Sequence, residues 1–443
     1  MPTREELKRS VAEEIDRRGE ELVRVAKTIL EHPEPGFREV KTAAVVDRVM
    51  GEMGVQRRTG IAITGVKGQL EGGAGPGPTV GVLGELDSLL VPGHPHADAA
   101  TGAAHACGHH AQIAMMLGVG MGLQAPGVLD ALSGRVALIA VPAEEYIEIE
   151  YRNELRQQGK LEFLAGKAEF LRLGEFDDID LAMMTHTSSN SHEGKLALSS
   201  TNNGMIAKFI QYQGRAAHAG GAPHMGVNAL NAAMLALSAI HAQRETFQDK
   251  DTVRVHPIIT RGGASVNSVP ADVRMETFVR GNNLAAIADA DMKVDRALRA
   301  AAMAIGATVE ITTLPGYMPL NNDDKMMSVY GANAALLVGE DNVGRAGHRT
   351  GSTDMGDVGQ VMPTIHPYVS GAVGSGHGVD YLIEDWDNAV LTAAKAMALT
   401  VVDLLADGAA GANEIKSNHK PNMTIAEYLK VQGATLRQET YSG

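Results

Sequence analysis

The segment His105-Ala106-Cys107-Gly108-His109-His110 sets a thiol and an imidazole two residues apart. A sulfur and a nitrogen at that spacing can share one transition-metal ion, with Gly108 letting the backbone turn tightly between them. By itself the signal is weak, because cysteine is commonly buried and this chain has 16 histidines to supply a neighbour. Glu144 and Glu145 follow an apolar run and Pro142. Adjacent carboxylates are ordinarily just solvated, but two at the end of a buried strand need a cation or a proton-transfer role. His186 ends a third apolar run, and His377 lies in Gly374-Ser375-Gly376-His377-Gly378, where glycines permit close approach. Either histidine alone reads as a hydrogen-bonded surface residue. Taken together they form a set of S, N and O donors that suits a divalent transition metal such as Zn, Mn, Co or Ni.

The elements that must position these residues are three apolar runs, at 79–84, 135–141 and 179–184, with a Met- and Leu-rich helical stretch at 111–124. Runs without alternation, separated by helices, predict strands buried on both faces of a mostly parallel sheet. Each run is followed by polar residues: Glu85-Leu86-Asp87, Glu144-Glu145 and His186. Open α/β sheets bind ligands at the carboxyl ends of their strands, so these groups are expected along one edge. Apolar spacing over 7–30 predicts an amphipathic helix, stopped by His32-Pro33-Glu34-Pro35-Gly36 and followed by a second helix over 39–53. The glycine-rich stretch 70–79 reads as a turn, because Pro76 and Pro78 do not suit a phosphate loop leading into a helix.

From about Thr201 the pattern changes to strand 206–212, helix 228–242, strands 253–260 and 273–279, helix 284–305 and strand 308–314. That order is the ferredoxin-like split motif. A final helix is expected over 388–405. The predicted architecture is therefore α/β, with a central mostly parallel sheet flanked by helices in a catalytic domain of residues 1–200 and 317–443. An α+β lid domain, residues 201–316, is inserted into it.

Composition narrows the function. The 443 residues carry a net charge of −14 and only 4% aromatics, which disfavours phosphate backbones and base stacking, so no nucleic-acid partner is expected. The single cysteine, Cys107, excludes an intrachain disulfide and fits a reducing compartment or simple indifference to redox. The first residues are charged and amphipathic without a signal-peptide core, and no apolar run is expected to approach the roughly 20 residues of a membrane helix. The expectation is a cytoplasmic enzyme acting on a small molecule, with no membrane partner.

With these motifs in hand, the chain resembles the peptidase M20 family of metallo-amidohydrolases. It looks closest to the branch holding N-acyl-amino-acid hydrolases and aminobenzoyl-glutamate-type amidohydrolases. The resemblance runs along almost the whole chain: His32-Pro33-Glu34-Pro35-Gly36-Phe37, Glu85-Leu86-Asp87, HACGH from His105, Pro142-Ala143-Glu144-Glu145, Thr185-His186 and Gly214-Arg215-Ala216-Ala217-His218 fall in the family's order. Asn267-Ser268-Val269-Pro270, Arg280, Gly351-Ser352-Thr353-Asp354 and His377 complete it. The resemblance implies that Cys107, His109, Glu145, His186 and His377 are metal ligands for one or two ions, with Cys107 able to bridge two. It implies that Glu144 is the general base acting on a metal-activated water, and that His218, from the lid and from a partner subunit, holds the developing oxyanion. Asn267 and Arg280 would hold a substrate carboxylate. Asp87 and His110 would stand behind the ligands and orient them. The inserted domain corresponds to the family's lid or dimerisation domain, implying a homodimer.

Three positions depart from the family pattern: His110 stands where Asp or Asn is common, Gln112 where many relatives have His, and Glu85 at the first acidic position. The reading that follows is a metal-dependent amidohydrolase cleaving an N-acyl-amino acid, dipeptide or aryl-amide bond near a free carboxylate. His110 keeps open a hydrolytic deaminase of an aromatic or heterocyclic amine. A metal-binding protein that kept the fold and lost catalysis is the non-enzyme alternative, against which Glu144 argues.

Overall fold

The structure is a computed structural model of the chain and describes residues 2–443. Its central sheet has six strands in the order Gln56–Ile61, Gly65–Glu71, Arg135–Val141, Thr79–Glu85, Leu181–Met183 and Thr364–Ile365. The last four run parallel, and the first two add an antiparallel edge. Thr79–Glu85 is buried along its whole length, as continuous apolar strands between helix layers must be. One face packs against Arg4–Arg17, Gly19–Leu30, His109–Leu123 and Ala393–Asn418, and the other against Gly166–Arg172, Met355–Val361 and Ile425–Thr435. Because the strands are parallel, Glu85-Leu86-Asp87, Glu144-Glu145 and His186 emerge at the same edge. The stretch 70–79 is the expected turn, and the chain crosses the Arg135–Val141 strand between its two neighbours.

The inserted unit is an antiparallel sheet ordered Arg254–Val255, Asp272–Gly281, Gly204–Gln213, Thr308–Leu314 and Arg437–Ser442, with Ile258–Arg261 also paired to Asp272–Gly281. Asp272–Gly281 alternates buried and half-buried positions, because helices Ala229–Ala242 and Leu284–Ile305 cover one face only.

Several expectations need correction. The strand over 253–260 is two short strands, because His256-Pro257 interrupts the ladder and proline has no N–H to give it. The helix over 7–30 is two helices that meet at Arg18, where Gly19 packs so closely on Leu391 that an added Cβ would lie 2.9 Å from its Cδ1. The domain division shifts at its end: Arg437–Ser442 pairs with Thr308–Thr313 in the lid sheet, so the last residues of the expected 317–443 segment fold with the lid. The helix expected over 388–405 begins as a wide π turn, Asp387–Thr392, and continues as Ala393–Asn418 with a break at residues 406–409. Residues 387–418 are, by length and composition, apolar enough to cross a membrane, contrary to the expectation from the sequence. The most apolar window is 83% buried inside the protein, where it packs on Arg4–Arg17, His109–Leu123 and Asp324–Val338.

Candidate active site and metal centre

Gly108 fixes the start of the site. It has φ +90°, and an added Cβ would stand 2.0 Å from Thr187 Oγ1, so only glycine lets the chain turn into the buried helix His109–Leu123. The helix begins at His109, two residues before the sequence suggests, and this places His109 at its first turn. His109 Nδ1 donates to the Asp87 carbonyl at 2.9 Å, which turns Nε2 toward Glu85 and the site. His186 Nδ1 is likewise tied to the Thr187 carbonyl at 2.7 Å, and its Nε2 lies 3.3 Å from Cys107 Sγ. His377, held at φ +65°, is carried by a glycine loop whose His377 N–H donates to the Ala106 carbonyl at 2.9 Å. That docking brings His377 Nε2 to 3.5 Å from Glu145 Oε1.

Two donor groups that share Cys107 result, beside a third made of Glu85, His109 and Glu144. Cys107, His109 and His186 converge with their donor atoms within 4.8 Å of one another, and so do Cys107, Glu145 and His377. Cys107 is common to both, the position of a bridging thiolate. Glu145 Oε1 is buried without a hydrogen-bond partner, as an atom reserved for a cation would be. The residues therefore fit divalent transition-metal ions in an S/N/O set.

The electrostatics agree. Burial, reinforced by the neighbouring Glu85 and Glu145 carboxylates, pushes Glu144 well above the usual carboxylate range. Burial and Glu145 raise the Cys107 thiol. Burial lowers His186 to about 4, so its imidazole is neutral and able to ligate. Against its burial, His109 is raised by the Glu85 carboxylate, 3.1 Å from Nε2. These are the shifts of a site carrying excess negative charge.

Arg280 lines the same cavity of about 270 Å³, together with Cys107, Glu144, Glu145, His186 and His377. The Asp87 carbonyl accepts from His109 Nδ1, and Asp87 Oδ2 accepts the Glu145 N–H at 2.8 Å. His110 is buried beside His105 and Trp386, with ring centroids 5.2 and 5.7 Å away, and does not line the cavity. His218 and Asn267 are exposed on neighbouring lid loops, linked through Ala219 N–H to the Asn267 carbonyl at 2.9 Å, and neither reaches the cavity within one subunit. A second cavity of about 640 Å³ shares the walls Leu89, Tyr146, Ile147 and Phe278 with the first. It is lined by Glu148, Glu150, Glu154 and Glu276.

Residues 201–305 match the peptidase dimerisation domain of the M20 peptidases. The chain is 29% identical over 422 residues to the Xaa-Arg dipeptidase of Mus musculus, covering 90% of this chain and 89% of the relative. It is 28% identical to the N-acetyl-L-cysteine deacetylase of Bacillus subtilis over 59% of each chain. The chain is similar to M20 peptidases along most of its length. Among solved structures, a dinuclear metal-binding M20 peptidase from Bacillus subtilis has the same fold, with a TM-score of 0.63 at 21% identity over 88% of this chain and 99% of that one. A putative aminohydrolase from methicillin-resistant Staphylococcus aureus superposes with a TM-score of 0.68 at 22% identity, over 90% of this chain and all of that one.

Within this site several residues escape sequence reasoning. Lys167 is fully buried between Glu85, at 2.6 Å, and Asp354. Its signal is a lone lysine in the apolar stretch 161–171, which a surface helix would equally supply. Opposing the effect of burial, Lys167 holds Glu85 down to about 2. His366, unassigned from the sequence, lines the cavity with neither ring nitrogen paired, and burial lowers it to about 3. Tyr317 and Tyr368 complete the wall. His224, also unassigned, is exposed on a short turn of the lid.

Proposed function

We propose that this M20 enzyme hydrolyses the amide bond of a dipeptide or N-acyl-amino acid with a free carboxylate, through a dinuclear metal centre held by Cys107, His109, Glu145, His186 and His377. The observation that carries the reading is Cys107 shared between two donor groups with Glu144 beside them. Divalent ions there supply Lewis acidity, which acidifies water and polarises a carbonyl. Glu144, beside both donor groups, takes a proton from the attacking water as its oxygen adds to the amide carbon. It passes that proton to the departing nitrogen as the C–N bond breaks, leaving a carboxylic acid and an amine. Arg280 in the cavity pairs with the substrate carboxylate. His218 and Asn267 are exposed together on the lid, which fits their delivery to the site of a second subunit in a homodimer. A reducing, cytoplasmic setting would keep the lone Cys107 available as a ligand.

For the substrate, the acidic adjoining cavity favours a cationic side chain. Arg38 and Arg274 pair with Glu148 and Glu150, but among the described residues no ion pair holds Glu154 or Glu276. Burial and the Glu150 carboxylate raise Glu276, a cost that a substrate cation would relieve. Dipeptides ending in Arg or Lys are therefore the first choice, in keeping with the similarity to a Xaa-Arg dipeptidase.

The test is amine release from a panel of dipeptides, N-acyl-amino acids, p-aminobenzoyl-glutamate and aryl amines, with metal-loaded, chelated and Glu144→Gln protein. Hydrolysis of amides, lost on chelation and in Glu144→Gln, is expected, with basic dipeptides turned over fastest. Ammonia release from aryl amines, or stoichiometric metal without turnover, would overturn the reading.

A further inference from the structure

The loop carrying Glu144 and Glu145 is not held by the strand that delivers it. After Val141 the chain leaves the sheet, and Ala143 adopts φ +56°, a left-handed conformation that a non-glycine residue keeps only when its surroundings impose it. Four backbone groups of this turn are met by side chains from outside the loop. Glu39 Oε1 accepts the Ala143 N–H at 2.8 Å. Arg152 Nη1 donates to the Ala143 carbonyl at 2.9 Å and to the Leu164 carbonyl at 2.8 Å, and Nη2 donates to the Glu145 carbonyl at 2.6 Å. Tyr317 donates its hydroxyl to the Glu144 carbonyl.

Both clamping side chains are buried, Arg152 at 1% and Glu39 at 0% exposure, and both depend on the N-terminal motif. An added Cβ on Gly36 would lie 2.3 Å from Arg152 Nη2 and 2.9 Å from Ala143 Cβ, so the guanidinium fits only beside a glycine. Phe37 covers it, with the guanidinium carbon 5.4 Å from the ring centroid. Glu39 Oε2 is fixed by the Thr64 hydroxyl at 2.7 Å. His32-Pro33-Glu34-Pro35-Gly36-Phe37 thus lies outside the site yet ends in a socket for the loop bearing its two carboxylates.

We propose that Glu39 and Arg152 are positioning residues for catalysis: they hold Ala143 in its left-handed turn, so that Glu144 faces the reacting water while Glu145 faces the metal. This rests on the reading of Glu144 as base and Glu145 as ligand. A guanidinium is suited to the task because its planar fork satisfies three carbonyls at once, which an ammonium does not do in one plane.

The test compares Glu39→Met, which leaves the Ala143 N–H without an acceptor, with Glu39→Gln, which keeps an amide oxygen in that place. Gly36→Ala serves as a second, milder disturbance through Arg152. In metal-loaded protein, Glu39→Met is expected to lose kcat by about 10–100-fold, the usual effect of removing a partner that orients a ligand, with KM within about twofold. Glu39→Gln is expected to restore kcat to within about threefold of wild type, a recovery that a general packing role would not produce. Gly36→Ala is expected to lower kcat in the same direction, and it decides the matter if Glu39→Met does not fold. Wild-type kcat in Glu39→Met or in Gly36→Ala, or equal losses in the Met and Gln variants, would overturn the clamp. Glu144→Gln run in parallel separates the two claims: if it is inactive while Glu39→Met is not, the clamp fails and the base assignment stands. If Glu144→Gln is active, the assignment of the base fails.

Discussion

Lys167 and Glu85 meet across 2.6 Å with neither side chain exposed, and the same ammonium also binds Asp354. One buried cation therefore serves two carboxylates directly behind His109. Removing one partner of such a group leaves uncompensated charge in the interior, which costs far more than the pair contributes when intact. Lys167→Met is expected to destabilise the protein by about 3–5 kcal/mol. Lys167→Met combined with Asp354→Leu should recover part of that loss. Chemical denaturation of the three proteins checks this, and a double variant no more stable than Lys167→Met would sink the account.

The Glu39 carboxyl is pushed from its ordinary value of 4.5 to about 7, by burial first and then by the Asp87 carboxylate. A carboxyl raised in the folded state adds stability that is fully present below its unfolded pKa and is lost as pH rises through the folded pKa. Here that window is 4.5 to about 7. Glu39→Gln removes the titration, so its stability relative to wild type should rise by about 2 kcal/mol between pH 5 and pH 8. Melting temperatures of both proteins at the two pH values measure it. A difference that does not change with pH would mean that Glu39 does not titrate in this range.

The central sheet and the convergence of the donor residues are legible in the sequence because parallel strands convert chain order into spatial order. Once 79–85, 135–141 and 181–183 are neighbours, the polar residues after them share an edge whatever the loops do. Lys167 and Arg152 are not legible, because a buried cation reads like a solvated one until its carboxylates and carbonyls are placed. His110 is next to His109 in sequence, but one step along a helix turns its side chain about 100° away, toward His105 and Trp386. The strand Arg437–Ser442 is missed because its neighbour in the lid sheet lies more than 120 residues earlier.

Cys107 is the only side chain common to both donor groups. Its loss should weaken both ions, whereas His377→Ala removes a donor from one group only. Mass spectrometry of dialysed protein is expected to find about two ions per subunit in wild type, about one in His377→Ala and fewer than one in Cys107→Ala. Equal metal content in the two variants would show that Cys107 does not bridge.

His218 and Asn267 are exposed on lid loops that bring neither side chain to the cavity holding Arg280 and Glu144. If His218 serves the partner's site, two inactive proteins can complement each other. A dimer of one Glu144→Gln subunit and one His218→Ala subunit contains one intact site: the His218→Ala subunit keeps Glu144 and receives His218 from its partner. Random exchange places half of the subunits in such mixed dimers, and half of their sites are complete, so mixing equal amounts should restore about a quarter of wild-type activity. A service within one subunit predicts no recovery, because every site then lacks either its base or its imidazole. Light scattering before and after mixing confirms that dimers persist, and the activity of the mixture decides between the two arrangements.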